Sequence, residues 1–257
     1  MHTALIGYSG FVGRNISNQY KFDDLYNSTN ISEIEDKEYD LIVSAANRAD
    51  MWRINQEGGI DRAEIDEFIS HISKVKAKKF VLISTVGVYK NPNGVDEDTP
   101  IDTDGLQPYG QNRYYLEQFI QDNFDVTIIR LSGLFGNGLK KNVIFDLLHD
   151  NMVDKIHADG VYQYYNLDNI WKDIKIALDN NLSLVNFAMP PVSTKEVAEY
   201  AFGIDFTNRP ADLKPAFWDM HSKYAPIYGG EKGYLYTKQQ ELDSIKAFVE
   251  RERAKKS

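Results

Sequence analysis

The feature that most constrains this chain stands at its start. The stretch Ala4-Leu5-Ile6-Gly7-Tyr8-Ser9-Gly10-Phe11-Val12-Gly13-Arg14 sets three glycines directly behind the apolar run Thr3–Ile6. A short apolar run that stops at glycine reads as a buried strand, and a helix can begin at Phe11. Strand, glycine turn and helix N-terminus follow in the order that a dinucleotide site requires. Gly7 permits the tight turn, Gly10 lets a pyrophosphate approach the main chain, and Gly13 lets the helix pack close to the sheet. Free N–H groups and the positive end of the helix dipole attract the phosphates. The spacing is G-x-x-G-x-x-G and not G-x-G-x-x-G, so the position behind a strand carries the reading.

The rest of the chain extends this alternation. Strands are expected at Thr3–Ile6, Asp24–Asn27, Tyr39–Ala45, Lys79–Thr85, Asp125–Leu131 and Leu184–Phe187. Runs such as Phe80-Val81-Leu82-Ile83 are apolar throughout, as parallel strands covered on both faces must be. Glu57 to Lys76 sets Ile60, Ala63, Ile65, Phe68, Ile69, Ile72 and Val75 at helical intervals, and Gln111 to Asn123 does so with Tyr115, Leu116, Phe119 and Ile120. Further helices are expected at Leu167–Leu178, at Thr194–Phe202 behind a Ser193/Glu196 capping box, and at Lys238–Arg251. The pattern predicts an α/β fold, a doubly wound parallel sheet of Rossmann type with a small C-terminal subdomain. Residues 1–136 form the dinucleotide-binding part in this reading. Residues 137–257 return to the sheet and form the substrate subdomain. The turn-rich stretch Lys90–Pro108 is expected to be a surface loop.

With 257 residues, 42% of them apolar, the chain is long enough for a substantial core. It has no cysteine, which excludes disulfides, thiolate metal sites and cysteine nucleophiles. Its net charge is −9, and no dense basic cluster argues for nucleic acid. Lys74 to Lys79 comes nearest and reads as the solvated end of a helix. No apolar run approaches a membrane span, and no signal segment precedes the first strand, so a cytoplasmic location is expected. The five histidines show no metal-ligand spacing.

The chemistry-bearing residues lie between the fourth and fifth expected strands. Ser84-Thr85 closes the fourth. Tyr109 and Arg113, four apart in Pro108-Tyr109-Gly110-Gln111-Asn112-Arg113, share one face of a helix. A hydroxyl at a strand end can reach the same point, the crevice outside the carboxyl ends of the strands.

Here the chain resembles the extended short-chain dehydrogenase/reductase superfamily, the NAD-dependent sugar-nucleotide epimerases, dehydratases and reductases. The resemblance covers nearly the whole chain. It rests on the Gly7–Gly13 turn, Ala45-Ala46, Ser84-Thr85 with Val88-Tyr89, the Tyr109/Arg113 pair, and Ile129-Arg130 with Gly136. Asn166-Leu167-Asp168-Asn169-Ile170 and Leu184-Val185-Asn186 fit as well. It implies a catalytic group of Thr85, Tyr109 and Arg113. The Thr85 hydroxyl would hold the substrate oxygen. Tyr109 would exchange a proton with it while hydride passes to or from a nicotinamide. The family expects lysine at position 113. Arginine keeps the charge and can bind the nicotinamide ribose, but it cannot relay a proton and its planar fork reaches differently.

The same resemblance implies cofactor contacts at Gly7, Ser9, Gly10, Phe11, Val12, Gly13 and Arg14, and at Asn27, Ser28, Ala45 and Ala46. Ser84, Tyr109, Arg113, Leu131 and Leu134 complete that set. Lys140, Lys141 and Asn142 are expected to hold a substrate diphosphate, although a basic loop opening a helix reads the same way. The aromatics Tyr162, Tyr164 and Tyr165 could stack on a base or pack in the core. No acid stands in Asn27-Ser28-Thr29-Asn30 to repel a 2′-phosphate, and Arg14 could pair with one, so NADP is favoured slightly over NAD. Val86 and Gly87 follow Thr85 where dehydratases carry an acidic pair, which argues against dehydration. A sugar nucleotide is the expected substrate, for reduction or epimerisation. A non-catalytic dinucleotide-binding protein on the same fold, and a homodimer through the Gln111–Asn123 helix, both remain open.

Overall fold

A computed structural model describes residues 1–255. In chain order the elements begin β1 (Thr3–Ile6), α1 (Phe11–Ser17), β2 (Asp24–Tyr26), β3 (Glu38–Ser44), α2 (Met51–Gln56) and α3 (Gly58–Ile72). They continue with β4 (Lys76–Thr85), α4 (Pro108–Asn123), β5 (Val126–Leu131), β6 (Gly133–Phe135) and α5 (Val143–His149). The remainder is β7 (Val161–Tyr162), β8 (Tyr164–Asn166), α6 (Ile170–Asp179), β9 (Leu184–Phe187), β10 (Val192–Ser193), α7 (Thr194–Val197) and α8 (Lys238–Ala254). By internal contacts the chain forms two units. The first is Met1–Pro92, Glu97–Leu131 and Asn169–Asn186, and the second is Asn93–Asp96, Ser132–Asp168 and Phe187–Ser257.

The main sheet has the strand order β2-β1-β3-β4-β5-β9, with β1 to β5 parallel. This is the doubly wound Rossmann-type architecture that the alternation predicts. The strand order reverses at β1 and β3, and a crevice opens at their carboxyl ends, where Gly7 and Ala45 follow the two strands. Ala4, Leu5, Ile6, Ile42, Val43, Phe80, Val81, Leu82 and Ile128 are each 0–1% exposed, as both faces of a parallel sheet require. Trp171, the second residue of α6, stacks on Tyr20 just past α1 with ring centroids 4.2 Å apart, and its backbone N–H donates to Gln19 Oε1 at 3.1 Å.

Two stretches differ from the periodicity reading. The helix expected over Glu57–Lys76 is α3, which ends at Ile72, followed by a strand start. Glu57 leaves helical geometry, with φ −119° and ψ 38°, and separates α2 from α3. Lys76 already belongs to β4, where it pairs with Glu38 of β3. Lys76, Lys78 and Lys79 therefore do not end a helix; they line the start of a strand and neutralise Glu38, Asp40 and Asp125. The buried stripe of α3 is also displaced. Ile60 is 55% exposed, while Asp61 is buried in line with Ile65 and Ile72.

In the second unit β6 pairs with β8 in parallel and β10 with β7 antiparallel. Phe135, Ile144, Tyr164, Val192, Phe202, Ile245 and Phe248 form a core of their own. The Ser193/Glu196 capping box opens α7, and the turns of Ala198–Phe202 continue it as a π-helix. Among the described residues no helix is long and apolar enough to cross a membrane.

Candidate functional site

The glycine turn has the tight geometry its spacing implies. Gly7 adopts φ +84°, and a Cβ there would come within 2.5 Å of the Ala45 carbonyl oxygen. A Cβ on Gly13 would lie 2.0 Å from the Gly7 carbonyl oxygen. Only glycine lets α1 stand this close to the turn. No side chain caps α1 and no acid stands in its first turn. Its first N–H groups have no intrahelical acceptor and suit an anion. Ser9, Gly10 and Arg14 are exposed, Phe11 and Val12 are half-buried, and Gly13 is buried. The Arg14 guanidinium folds back to donate to the Ser9 carbonyl at 3.1 Å.

Beside this turn lies a cavity of about 230 Å³ at the ends of β1, β2 and β3. Asn27, Ser28 and Ala46, three of the expected cofactor residues, line it with Ile6, Ile31 and Phe68. Its charged lining is Arg48, Asp61, Glu64 and Glu67, and Arg48 is held by Glu64 at 3.2 Å. An apolar slot edged by polar groups suits a purine and its ribose.

Thr85, Tyr109 and Arg113 come together at the start of α4. Thr85 Oγ1 accepts the Gly87 N–H at 3.0 Å, which leaves its own proton to donate elsewhere. The Tyr109 ring lies on Gly87, where a Cβ would stand 2.8 Å from a ring carbon and 3.4 Å from Thr85 Oγ1. Gly110 lets the helix approach this far, since a Cβ there would meet the Gly87 carbonyl oxygen at 2.3 Å. No residue of its own strand or helix caps α4; Asn55 of α2 instead accepts the Tyr109 N–H at 3.0 Å. Arg113 lies with its guanidinium carbon 4.9 Å from the Tyr109 ring centroid. The two groups share one helix face, as their spacing predicts.

Arg113 is 2% exposed and heavily bound. Its Nη1 and Nη2 donate to Asp61 at 3.0 and 2.8 Å, and Nη2 also reaches the Arg48 carbonyl at 2.8 Å. Its Nε is buried with no partner. A buried donor without an acceptor is costly, and a ribose hydroxyl would supply one. The glycine cradle, the cavity and this unsatisfied N–H all fit a dinucleotide.

Other expected residues are placed differently. The Ser84 hydroxyl donates to Glu117, which Arg130 holds through two more bonds. Arg130 in turn donates to the Tyr89 hydroxyl at 2.8 Å. Ser84 thus belongs to a buried network under the strand ends. Ala45 is half-buried and Leu131 is buried. In the second unit Leu134 is half-buried, and Lys140 and Lys141 are exposed. Asn142 caps α5: its Oδ1 accepts the Phe145 N–H at 3.1 Å and its Nδ2 donates to the Leu134 carbonyl at 2.8 Å. Tyr164 and Tyr165 are core residues at 2% and 0% exposure, whereas Tyr162 is half-buried. Among the described residues no group of three or more His, Asp or Glu side chains is disposed to hold a metal.

Sequence reasoning missed Asn55, Asp61, Asn112 and the Gly87/Gly110 contact. One signal was available for Asp61: an acid in register with the apolar stripe of a helix needs a buried cation, and Arg113 stands on the neighbouring helix.

The chain resembles solved structures over nearly its full length. One is a dTDP-4-dehydrorhamnose reductase ortholog from Clostridium acetobutylicum, with TM-score 0.72 and 14% identity over 98% of this chain and 100% of that one. Another is an NAD-dependent NDP-hexosamine 5,6-dehydratase of tunicamycin biosynthesis, with TM-score 0.74 and 16% identity over 99% and 98%. A third is a UDP-glucose 4-epimerase from Thermotoga maritima, with TM-score 0.69 and 16% identity over 100% of both chains. At these identities the likeness speaks to the fold. No curated protein matches the chain by sequence. The sequence profile of the NAD dependent epimerase/dehydratase family matches residues 22–165, a reach that takes in β2 to β5, Thr85, Tyr109 and Arg113. That stretch is more than half of the chain, and the chain belongs to this family.

Proposed function

We propose that this protein is an NAD(P)-dependent oxidoreductase or epimerase acting on a sugar nucleotide. The observation that carries the reading is the Tyr109 ring lying on Gly87 beside Thr85 Oγ1, with the Arg113 guanidinium 4.9 Å from the ring centroid. A bound nicotinamide accepts or donates hydride in this chemistry. Thr85 donates its free proton to the substrate oxygen and fixes its position. Tyr109 takes the proton from that oxygen in oxidation and returns it in reduction. General acid–base catalysis of this kind needs the phenol hydroxyl within hydrogen-bond reach of the substrate oxygen. Arg113 does not itself carry the proton.

The cavity supports NAD over NADP, against the leaning taken from the sequence. Arg14 is turned to the Ser9 carbonyl, and Glu64 and Glu67 line the slot beyond Asn27 and Ser28. Arg48, the cation in that lining, already serves Glu64. A 2′-phosphate would meet carboxylates with little to balance them. On the substrate side we assign Lys140 and Lys141 to the diphosphate; Asn142 has both ends of its amide engaged in the α5 cap.

Two measurements test the reading. Denaturing the purified protein and identifying any dinucleotide it releases distinguishes a tightly held cofactor, as an epimerase needs, from one exchanged each cycle, as in a reductase. Tyr109→Phe should lower turnover of UDP- or dTDP-sugars by at least ~100-fold while cofactor affinity holds; full activity in that variant removes Tyr109 from its role. Arginine at position 113, where the family expects lysine, favours a second reading, a dinucleotide-binding protein without turnover. Arg113→Lys creating activity where the native chain has none would support it.

A further inference from the structure

We propose that Asp61 is a positioning residue: it holds the Arg113 guanidinium in the single pose that serves the site. The proposal rests on Thr85, Tyr109 and Arg113 forming the reaction centre. Asp61 is 5% exposed, in the first turn of α3, and grips both Nη atoms of Arg113 in a fork-to-fork pair. Asn112, beside Arg113 on α4, donates to the same Asp61 Oδ2 at 2.8 Å and to the Gly58 carbonyl at 2.9 Å. The carboxylate therefore receives three N–H bonds from two adjacent residues of one helix. Bidentate geometry of this kind fixes orientation as well as charge.

The consequence falls on Arg113. A free arginine side chain samples many rotamers. Here Asp61 and the Arg48 carbonyl engage both Nη atoms, so the planar group cannot swing, and its Nε is left buried without a partner. A lysine ammonium is a single point and cannot span both carboxylate oxygens and the carbonyl in this plane. Asp61 thus supplies what an arginine needs to stand at position 113. Asp61 and Arg48 also line the 230 Å³ cavity, so the residues that fix Arg113 border the cofactor slot.

NADH titration by fluorescence tests this on the full chain, with Asp61→Asn, Arg113→Met and the double variant. Charge-assisted bonds of this type predict that Asp61→Asn weakens NADH about tenfold. In the Arg113→Met background the same substitution should cost nothing further, because no guanidinium remains to be positioned. An Asp61→Asn protein that binds NADH like the native chain, or two effects that simply multiply, would overturn the proposal. A residue serving stability alone would lower the melting temperature without this dependence on Arg113. Should Asp61→Asn unfold, Asn112→Ala removes one anchor of the carboxylate; NADH about threefold weaker is then expected, and an unchanged affinity refutes the role. A native chain that binds neither NADH nor NADPH would refute the site itself, a failure visible before any variant is made.

Discussion

Asp61 in the first unit and Glu241 in the second are both acids withdrawn from water, at 5% and 1% exposure, and their surroundings are opposite. Asp61 faces a guanidinium and an amide and receives three N–H bonds. Glu241, on α8, accepts one, the Tyr164 backbone N–H at 2.9 Å, and its Oε2 has no partner. Leu242, Ile245 and Phe248 of its own helix belong to the apolar core of that unit. Lys238, one turn earlier, pairs with Glu196 instead. Burial pushes the Glu241 carboxyl well above the usual carboxylate range. Depth alone therefore does not decide what a hidden carboxyl becomes; the donors aimed at it do. The first unit pairs its acid with a cation, and the second sets its acid against an apolar core with one backbone donor.

The sharpest way to break the comparison is to make Asp61 resemble Glu241. Arg113→Ala strips its cation and leaves a buried carboxylate unpaired, which should cost about 3–5 kcal/mol in urea unfolding. A loss under 1 kcal/mol would mean that the pair contributes nothing. Geometry can be attacked next with the charges intact. Gly110→Ala drives a methyl group toward the Gly87 carbonyl, 2.3 Å from the ideal Cβ position, and should cost about 1–3 kcal/mol. Because Tyr109 precedes it on α4, turnover should fall more steeply than stability; unchanged kcat would detach the tyrosine from this contact.

The mildest test concerns Glu241. Its folded-state pKa is raised, so its stabilising effect is full below the ordinary carboxylate pKa and is lost as pH rises toward the folded value. The unfolded chain sheds the proton first and is favoured. Glu241→Gln should flatten the decline of melting temperature between weakly acidic and alkaline pH, with little effect in acid. A variant with the native slope would show that Glu241 does not titrate in this way.

Much of the first unit was legible. β1 and β9 have the bounds expected of them; Gly7 stops the first, and Pro190-Pro191 lie shortly beyond the second. Thr85, Tyr109 and Arg113 were legible because a strand end and a one-turn helical spacing place them by local geometry. Asp61 was not, since it meets Arg113 across 52 positions and nothing local marks the pairing. Asn55 was hidden for the same reason: it caps α4 through the N–H of Tyr109, 54 residues later. Ser84 and Asn142 illustrate another limit. Their side chains suit a ligand by chemistry, yet Glu117 and the α5 cap claim them first. Sequence reports what a side chain can bond, and tertiary structure decides which bond it makes.

Trp171 stacks on Tyr20, immediately beyond the helix whose opposite end carries the glycine cradle. The chain thereby has an optical gauge built into its first unit. Reduced nicotinamide absorbs where indole emits, so a reduced cofactor seated at the cradle should draw energy from this stacked indole. Trp52, at 74% exposure, would emit as an indole in water. Site occupancy can then be followed by light without attaching a label.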